Sequence, residues 1–246
     1  MHRTLVAAVM IVAGLLAHGS AALAQDAAQP VYIVTYVEIA PNSAADARKL
    51  ILGYVADAKK APGAVQIEAL QRISDPSHFG LIELWKSPAE KQAFAATDAV
   101  TKFRATLLPL QSAAYDERIH NALSVGPTMP LSGDPVVLMT HVDIIPTQVE
   151  PGTAKVKAFV EAGRGTAGNR RFDDLVQANR KNHFTVVEAW DAAADKSNWI
   201  ASPVARTFRQ ELQPISGGLY DERAYKLLRG SRAIFTSTAS SFETHR

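Results

Sequence analysis

The chain has 246 residues, is 47% hydrophobic and 20% charged, and carries a formal net charge of +2. A charge so near zero gives no electrostatic case for nucleic acid or a membrane surface as a partner. With no cysteine there is no disulfide framework, no thiol nucleophile and no thiolate metal site.

At the N-terminus Arg3 precedes an apolar run over residues 5–17, and Ala22-Leu23-Ala24 precedes Gln25. This is the pattern of a secretory signal peptide over residues 1–24, and the run is short for a membrane span. Its removal takes away Arg3 and no acid, so the formal charge of +2 falls by one to +1. The expected destination is the periplasm or the medium.

After a polar leader, residues 31–39 read as a strand ended by Pro41. A helix is expected from Ser43, with Ala47, Leu50, Ile51, Tyr54, Val55 and Ala58 on one stripe, and Ser43 with Asp46 as its capping pair. Pro62-Gly63 stops it. A second strand covers residues 64–73, Asp75-Pro76-Ser77 turns the chain, and a third strand follows at residues 78–85. Ser87-Pro88-Ala89-Glu90 is a strong helix start, and that helix runs on to Leu107 and Pro109.

The pattern then repeats. His78-Phe79-Gly80-Leu81-Ile82-Glu83-Leu84-Trp85 returns 105 residues later as His183-Phe184-Thr185-Val186-Val187-Glu188-Ala189-Trp190. Thr35, Val37, Ile39 and Pro41 recur as Thr140, Val142, Ile144 and Pro146, and Tyr-Asp-Glu-Arg closes both copies at residues 115–118 and 220–223. In the second copy the inter-strand turn is expected at Arg180-Lys181-Asn182, and Ser202-Pro203 should break or kink the last helix. The domains are thus residues 31–123 and 136–228, joined by a linker at 124–135 and followed by a disordered polar tail at 229–246. Each reads β-α-β-β-α-β, the ferredoxin-like order. Because the strands are apolar on both faces, the fold class is α+β: two tandem ferredoxin-like repeats packing sheet to sheet into an intramolecular barrel. A monomer with an internal pseudo-dimer is expected.

These features resemble the antibiotic biosynthesis monooxygenase family, a dimeric α+β barrel. The carrying residues are the strands ending at Pro41 and Pro146, the His-Phe-x-x-x-Glu-x-Trp strands, the helices ending Leu-x-Pro, and the terminal Tyr-Asp-Glu-Arg. The resemblance implies a monooxygenase, with a pocket between the helices and the sheet of each copy. Members of the quinol type use no metal, flavin or haem, so it implies no cofactor and a small aromatic or quinol-like substrate. The pocket-facing His of many members falls on Phe94 and Trp199. The residues of haem-degrading members fall on His141, Trp199 and Arg209 in copy two and on Tyr36, Phe94 and Arg104 in copy one. Only the Trp survives, and the axial ligand is absent.

Glu83 and Glu188, repeated inside apolar strands, need partners. They are general bases raised by burial, or buttresses paired with Arg118 and Arg223. His141 stands mid-strand where copy one has Tyr36, and either can exchange a proton with a phenol. The candidate catalytic residues are therefore His141 and Glu188, and the candidate substrate-binding residues are Trp199, Tyr36, Phe94 and His183. Joining His141 to Trp199 makes copy two the active one. His183, like His78, opens a strand beside a turn, where a half-exposed structural role competes with contact to a ligand.

Gly163-Arg164-Gly165-Thr166-Ala167-Gly168 matches G-x-G-x-x-G, but it follows a helix and precedes a strand, so it is a helix stop and not a dinucleotide site. Two functions remain: an exported, cofactor-independent monooxygenase, or a non-catalytic periplasmic binder of the same kind of compound. A haem binder is the third reading.

Overall fold

Strands that are apolar on both faces must be covered on both, and the chain provides a different cover for each face. The computed structural model describes residues 29–230. The expected signal segment and all but the first two residues of the tail lie outside the described residues.

The first repeat runs β1 (Val31–Glu38), α1 (Ala44–Ala58), β2 (Ala64–Arg72), β3 (His78–Trp85), α2 (Pro88–Ala95), α3 (Asp98–Leu107) and β4 (Asp116–Ser124). The second runs β5 (Val136–Asp143), α4 (Val149–Gly163), β6 (Asn169–Gln177), β7 (Arg180–Trp190), α5 (Ala193–Ile200), α6 (Pro203–Leu212) and β8 (Asp221–Leu227). All eight strands close one barrel in the order β1-β3-β2-β8-β5-β7-β6-β4. Each repeat contributes four adjacent strands. The seams are edge to edge: β2 pairs with β8 through Leu70↔Leu227 and Arg72↔Tyr225, and β4 with β6 through His120↔Gln177 and Ala122↔Leu175. Closure therefore satisfies the four edges that two separate sheets would leave open.

Alternation then divides the side chains. Tyr32, Val34, Tyr36, Ile82, Leu84, Val137, Met139, Val187 and Tyr225 fill the barrel interior. Val31, Ile33, Val37, Leu81 and Trp85 face the helices of the first repeat, and Leu138, Val142, Phe184, Val186 and Trp190 those of the second. The helix stripes complete these outer layers: Ala47, Ile51, Tyr54, Val55 and Ala58 on α1, and Val156, Phe159, Val160 and Gly163 on α4. Linker residues Val125 and Leu131 pack against the interior cluster.

Local details differ from expectation in three places. Ser43 precedes α1 but makes no capping bond; a 3-10 turn at Pro41–Ser43 leads into the helix instead. The β6–β7 turn lies at residues 178–179, because Gln177 pairs with Arg180 and the chain resumes its ladder at once. The late helix breaks in both repeats. Ser202 caps α6 through Ala205 N at 3.2 Å, and Thr97 caps α3 through Val100 N at 3.4 Å, although repeat one has no proline there. Elsewhere Ser87 caps α2 as its motif requires. Gly63 and Gly168 have φ of +79° and +76° after their helices, which confirms the glycine-rich run as a helix stop.

Candidate active site

The sheet has two chemically different faces, and the candidate residues are split between them. Glu188, Trp199 and Phe94 lie on the helix-covered faces. His141 and Tyr36 lie on the inner face. His141 and Trp199 therefore do not form one site: β5 points Thr140 and Val142 at the helices and His141 inward.

The helix-facing layer of each repeat is built around its strand carboxylate. In repeat one Glu83 accepts from Tyr54 Oη at 2.7 Å and Trp85 Nε1 at 2.8 Å, with Lys91 Nζ at 3.2 Å. In repeat two Phe159 replaces that tyrosine, so Lys196 closes on both Glu188 oxygens at 2.8 and 2.7 Å, and Trp190 Nε1 adds a bond at 2.8 Å. Each lysine also meets the next carboxylate, Glu117 at 3.3 Å and Glu222 at 2.9 Å. The partners are thus lysines, not Arg118 and Arg223 as the sequence suggested. Those arginines turn inward and hold Asp116 and Asp221 at 2.6 and 2.7 Å. Burial pushes the Glu188 carboxyl up and Lys196 pulls it down. With Lys196 on both oxygens and Trp190 on one of them, Glu188 is a buttress by geometry.

Five rings pack together in this layer, Phe159, Phe172, Trp190, Trp199 and Phe208. Phe159 stacks on Phe208 at 4.1 Å, Trp199 lies over Trp190 at 6.4 Å, and Trp199 meets Phe172 edge-on at 5.8 Å. A groove of about 660 Å³ between α4 and α6 reaches Phe159 and Phe208 from outside, past Ala154, Ala158, Val204 and Thr207.

Three buried polar groups in this layer have no hydrogen-bond partner among the described residues: Thr140 Oγ1, Trp199 Nε1 and both oxygens of Asp174. Thr140 and Asp174 flank Val186 from neighbouring strands, and Phe172 precedes Asp174 on the same face. Asp174 is fully buried, and burial pushes its carboxyl up to about 8 against the pull of Arg164. In repeat one the matching positions are Thr35, Phe94 and Ala69, of which only Thr35 Oγ1 is left unpartnered. Sequence reasoning missed Asp174. Its signal was the pair Asp173-Asp174 inside a strand whose counterpart reads Glu68-Ala69.

On the inner face Tyr36 Oη and His141 Nε2 are 2.5 Å apart, with Arg118 Nη1 at 3.3–3.4 Å from both ring nitrogens. Burial and then Arg118 push His141 down to about 4, so the imidazole is neutral. The buried His120 is likewise pushed to about 4, mainly by burial. His183 sits half-exposed at the same end, with Nδ1 2.7 Å from Asp143 Oδ1. The haem-ligand positions hold Arg104 and Arg209, whose guanidinium groups lie over Tyr115 and Tyr220 at 3.3 and 4.9 Å. A guanidinium offers no lone pair to iron, so these residues do not fit a haem. Among the described residues no group of three His, Asp or Glu side chains is placed to hold a metal, and no helix is long and apolar enough to cross a membrane.

Fold and layers together define the class: a dimeric-type α+β barrel assembled within one chain. Residues 30–106, most of the first repeat, match the family model "Antibiotic biosynthesis monooxygenase". Solved structures of the whole double-repeat shape are similar. A candidate monooxygenase of Fusobacterium nucleatum subsp. nucleatum superposes with a TM-score of 0.73 at 12% identity, covering 82% of this chain and 94% of its own. One from Lactobacillus acidophilus gives 0.68 at 12%, covering 82% and 95%. An anthrone oxidase-like protein gives 0.64 at 10%, covering 81% and 91%. No curated protein sequence matches the chain.

Proposed function

We propose that this protein is an exported monooxygenase that oxidises a small aromatic, quinol-like compound without a bound cofactor, and that the helix-facing layer of repeat two is its site. One observation carries the reading: three unpartnered buried polar groups stand together with an aromatic ring set in repeat two, whereas the matching positions of repeat one leave only the Thr35 hydroxyl. Unpaired buried polar groups are costly, and a ligand with polar edges and a flat apolar body removes that cost. The groove between α4 and α6 is the entrance.

In this reading the phenolic substrate lies among Trp199, Phe172 and Phe159 with its oxygens on Thr140 and Asp174. Ionised Asp174 accepts the phenolic proton, and the electron-rich phenolate then reduces dioxygen itself. A hydroquinone and O2 give a hydroxyquinone and water, one oxygen atom going to each. A carboxyl poised near 8 suits a base at neutral pH. Export rests on the segment 1–24, and a monomeric state on the closed barrel, which leaves no strand edge for a second copy.

The test is oxygen uptake with a panel of hydroquinones, product analysis for ring hydroxylation, and fractionation with N-terminal sequencing of the mature protein. Activity that rises with pH through about 8 and falls at least tenfold in Asp174→Asn and Trp199→Phe supports the reading. Tight binding of the same compounds without oxygen uptake leaves the non-catalytic binder, which the neutralised Glu188–Lys196 pair favours.

A further inference from the structure

Repeat one opens a cavity at its seam with β8, and the oxygenase chemistry proposed for repeat two does not involve it. Pairing of β2 with β8 ends at Leu70↔Leu227, and Leu228 N adds one further bond to Ala69 O at 2.7 Å. Beside the rest of β2 lies a cavity of about 420 Å³. Lys59 just after α1, Pro130 and Leu131 of the linker, and Arg229 after β8 help to enclose it. Its apolar lining includes Val55, Ile67, Ala69, Leu131, Leu227 and Leu228.

The 105-residue repeat shows what differs at the matching place. Lys59, Ile67, Ala69 and Arg229 correspond to Arg164, Phe172, Asp174 and Ser124. In repeat two Arg164 lays its guanidinium across the β4–β6 seam, Nε donating to Phe172 O at 2.8 Å and Nη2 to Ser124 Oγ at 3.0 Å. Ser124 in turn donates to Glu161 Oε1 at 3.0 Å, so an acid stands beside that cation. In repeat one the strand side chains are smaller, the serine is a second cation, and Ala56 holds the position of Glu161. Open space and unopposed positive charge thus stand where repeat two has a bonded, balanced seam.

Charge then selects the ligand. Lys59 is exposed at the mouth and makes no ion pair with a described residue, while its neighbours Asp57 and Lys60 pair with each other at 4.0 Å. Arg229 Nη2 meets the Leu131 carbonyl at 3.4 Å, and the Arg229 carbonyl accepts from Arg48. Glu68 is the one acid on the wall among the described residues, and it is occupied: Gln66 Nε2 donates to Oε1 at 2.7 Å and Arg171 Nη1 to Oε2 at 2.9 Å. Arg171 also holds Asp173, whose other oxygen accepts from Gly126 N. In the whole cluster Arg48, Lys59, Arg171 and Arg229 face Glu68 and Asp173, so two positive charges are in excess. An apolar cavity with a few orienting polar groups is the usual form of a small-molecule site. We propose that this cavity binds a monocarboxylate carrying an apolar chain or ring, with the carboxylate on Lys59 and Arg229 and the apolar body against Val55, Ile67, Ala69 and Leu228. Charge-assisted hydrogen bonds to the two cations fix the head, and burial of the chain supplies the rest.

Octanoate, octan-1-ol and octylammonium are matched probes that share one chain and differ in the charge of the head. Calorimetric titration of the full mature chain with each, together with chemical-shift mapping, tests the site. Expected are binding of octanoate with shifts at Ala69 and Leu228, binding of octan-1-ol weaker by about tenfold or more, and weaker binding still of octylammonium. Lys59→Gln and Arg229→Gln should each lower octanoate affinity by about tenfold while leaving octan-1-ol unchanged. Lys49→Gln, which removes the same charge from the other end of α1, should have no effect. Asp174→Asn should likewise leave octanoate binding unchanged, which separates this site from the oxygenase site of repeat two. Octan-1-ol binding as tightly as octanoate, shifts confined to other parts of the molecule, or full octanoate affinity in both Lys59→Gln and Arg229→Gln would each overturn the proposal.

Discussion

Tyr36 and His141 occupy the same position in two repeats 105 residues apart, and in the folded chain they touch, Oη to Nε2 at 2.5 Å. The contact crosses the axis that relates the repeats, so it reports barrel closure directly. It also changes what His141 can be: an imidazole bonded to Tyr36, lying against Arg118 and pushed down by burial is not a free base.

The two inward histidines make stability depend on pH. His120 and His141 are both held near 4, below the ordinary histidine value of about 6.5, mainly by burial. Between those values the unfolded chain binds protons that the folded chain does not, so stability rises with pH over that window and is lost as pH falls through it. Melting temperatures from pH 4 to 7 should show this rise. His120→Gln and His141→Gln should each flatten it. An unchanged slope in both variants would refute the assignment.

Asp174 acts in the opposite direction. Its carboxyl is raised from 3.8 to about 8, so the folded chain keeps a proton that the unfolded chain has released. Stability contributed by that protonated form is full below about 4 and lost as pH rises through about 8. Asp174→Asn should therefore melt higher than the parent at pH 8, by stability on the order of 1–3 kcal/mol, with little difference at pH 4. Combined with the tenfold activity loss, this is the exchange of stability for activity expected of a site residue. A variant that is less stable at pH 8 would return Asp174 to an ordinary core role.

The fold was legible because the repeat and the alternation are both written in residue types. Phe79, Glu83 and Trp85 share one face by simple parity, and the apolar residues between them cover the other. Partnerships were less legible. Glu188 with Arg223 looked natural because both recur, but Lys91 and Lys196 recur too, and only the helix approach angle brings their ammonium groups under the strand. Parity could have separated His141 from its neighbours Thr140 and Val142, which alternate with it along β5 and lie on the helix side with Trp199. Asp174 could not be ranked from sequence, because a lone strand carboxylate is usually exposed, and its complete burial is a property of how α4 packs.

The Glu188 network should behave as a structural pair. Glu188→Gln leaves Lys196 with Glu222 alone, and breaking one side of a buried pair costs about 3–5 kcal/mol. Glu188→Gln with Lys196→Met should recover much of that loss, because both charges are gone. Turnover per folded molecule should persist in both. A variant with unchanged melting and a hundredfold lower rate would instead make Glu188 the base.

Closure of the barrel gives the last test. Residues 31–123 expressed alone would expose the interior side chains Tyr32, Val34, Tyr36, Ile82 and Leu84, with Leu70 at the β2 edge. They would also leave β2 and β4 without their partners β8 and β6. Both losses are repaired if a second copy takes the place of repeat two, because the β2 edge of one copy can pair with the β4 edge of the other in the same antiparallel sense. The half-chain should therefore form a homodimer, or aggregate if the pairing fails, while the full mature chain stays monomeric. Light scattering after size exclusion on both proteins decides it. A half-chain that remains a folded monomer would show that repeat one covers its own inner face, which the barrel of eight strands does not allow.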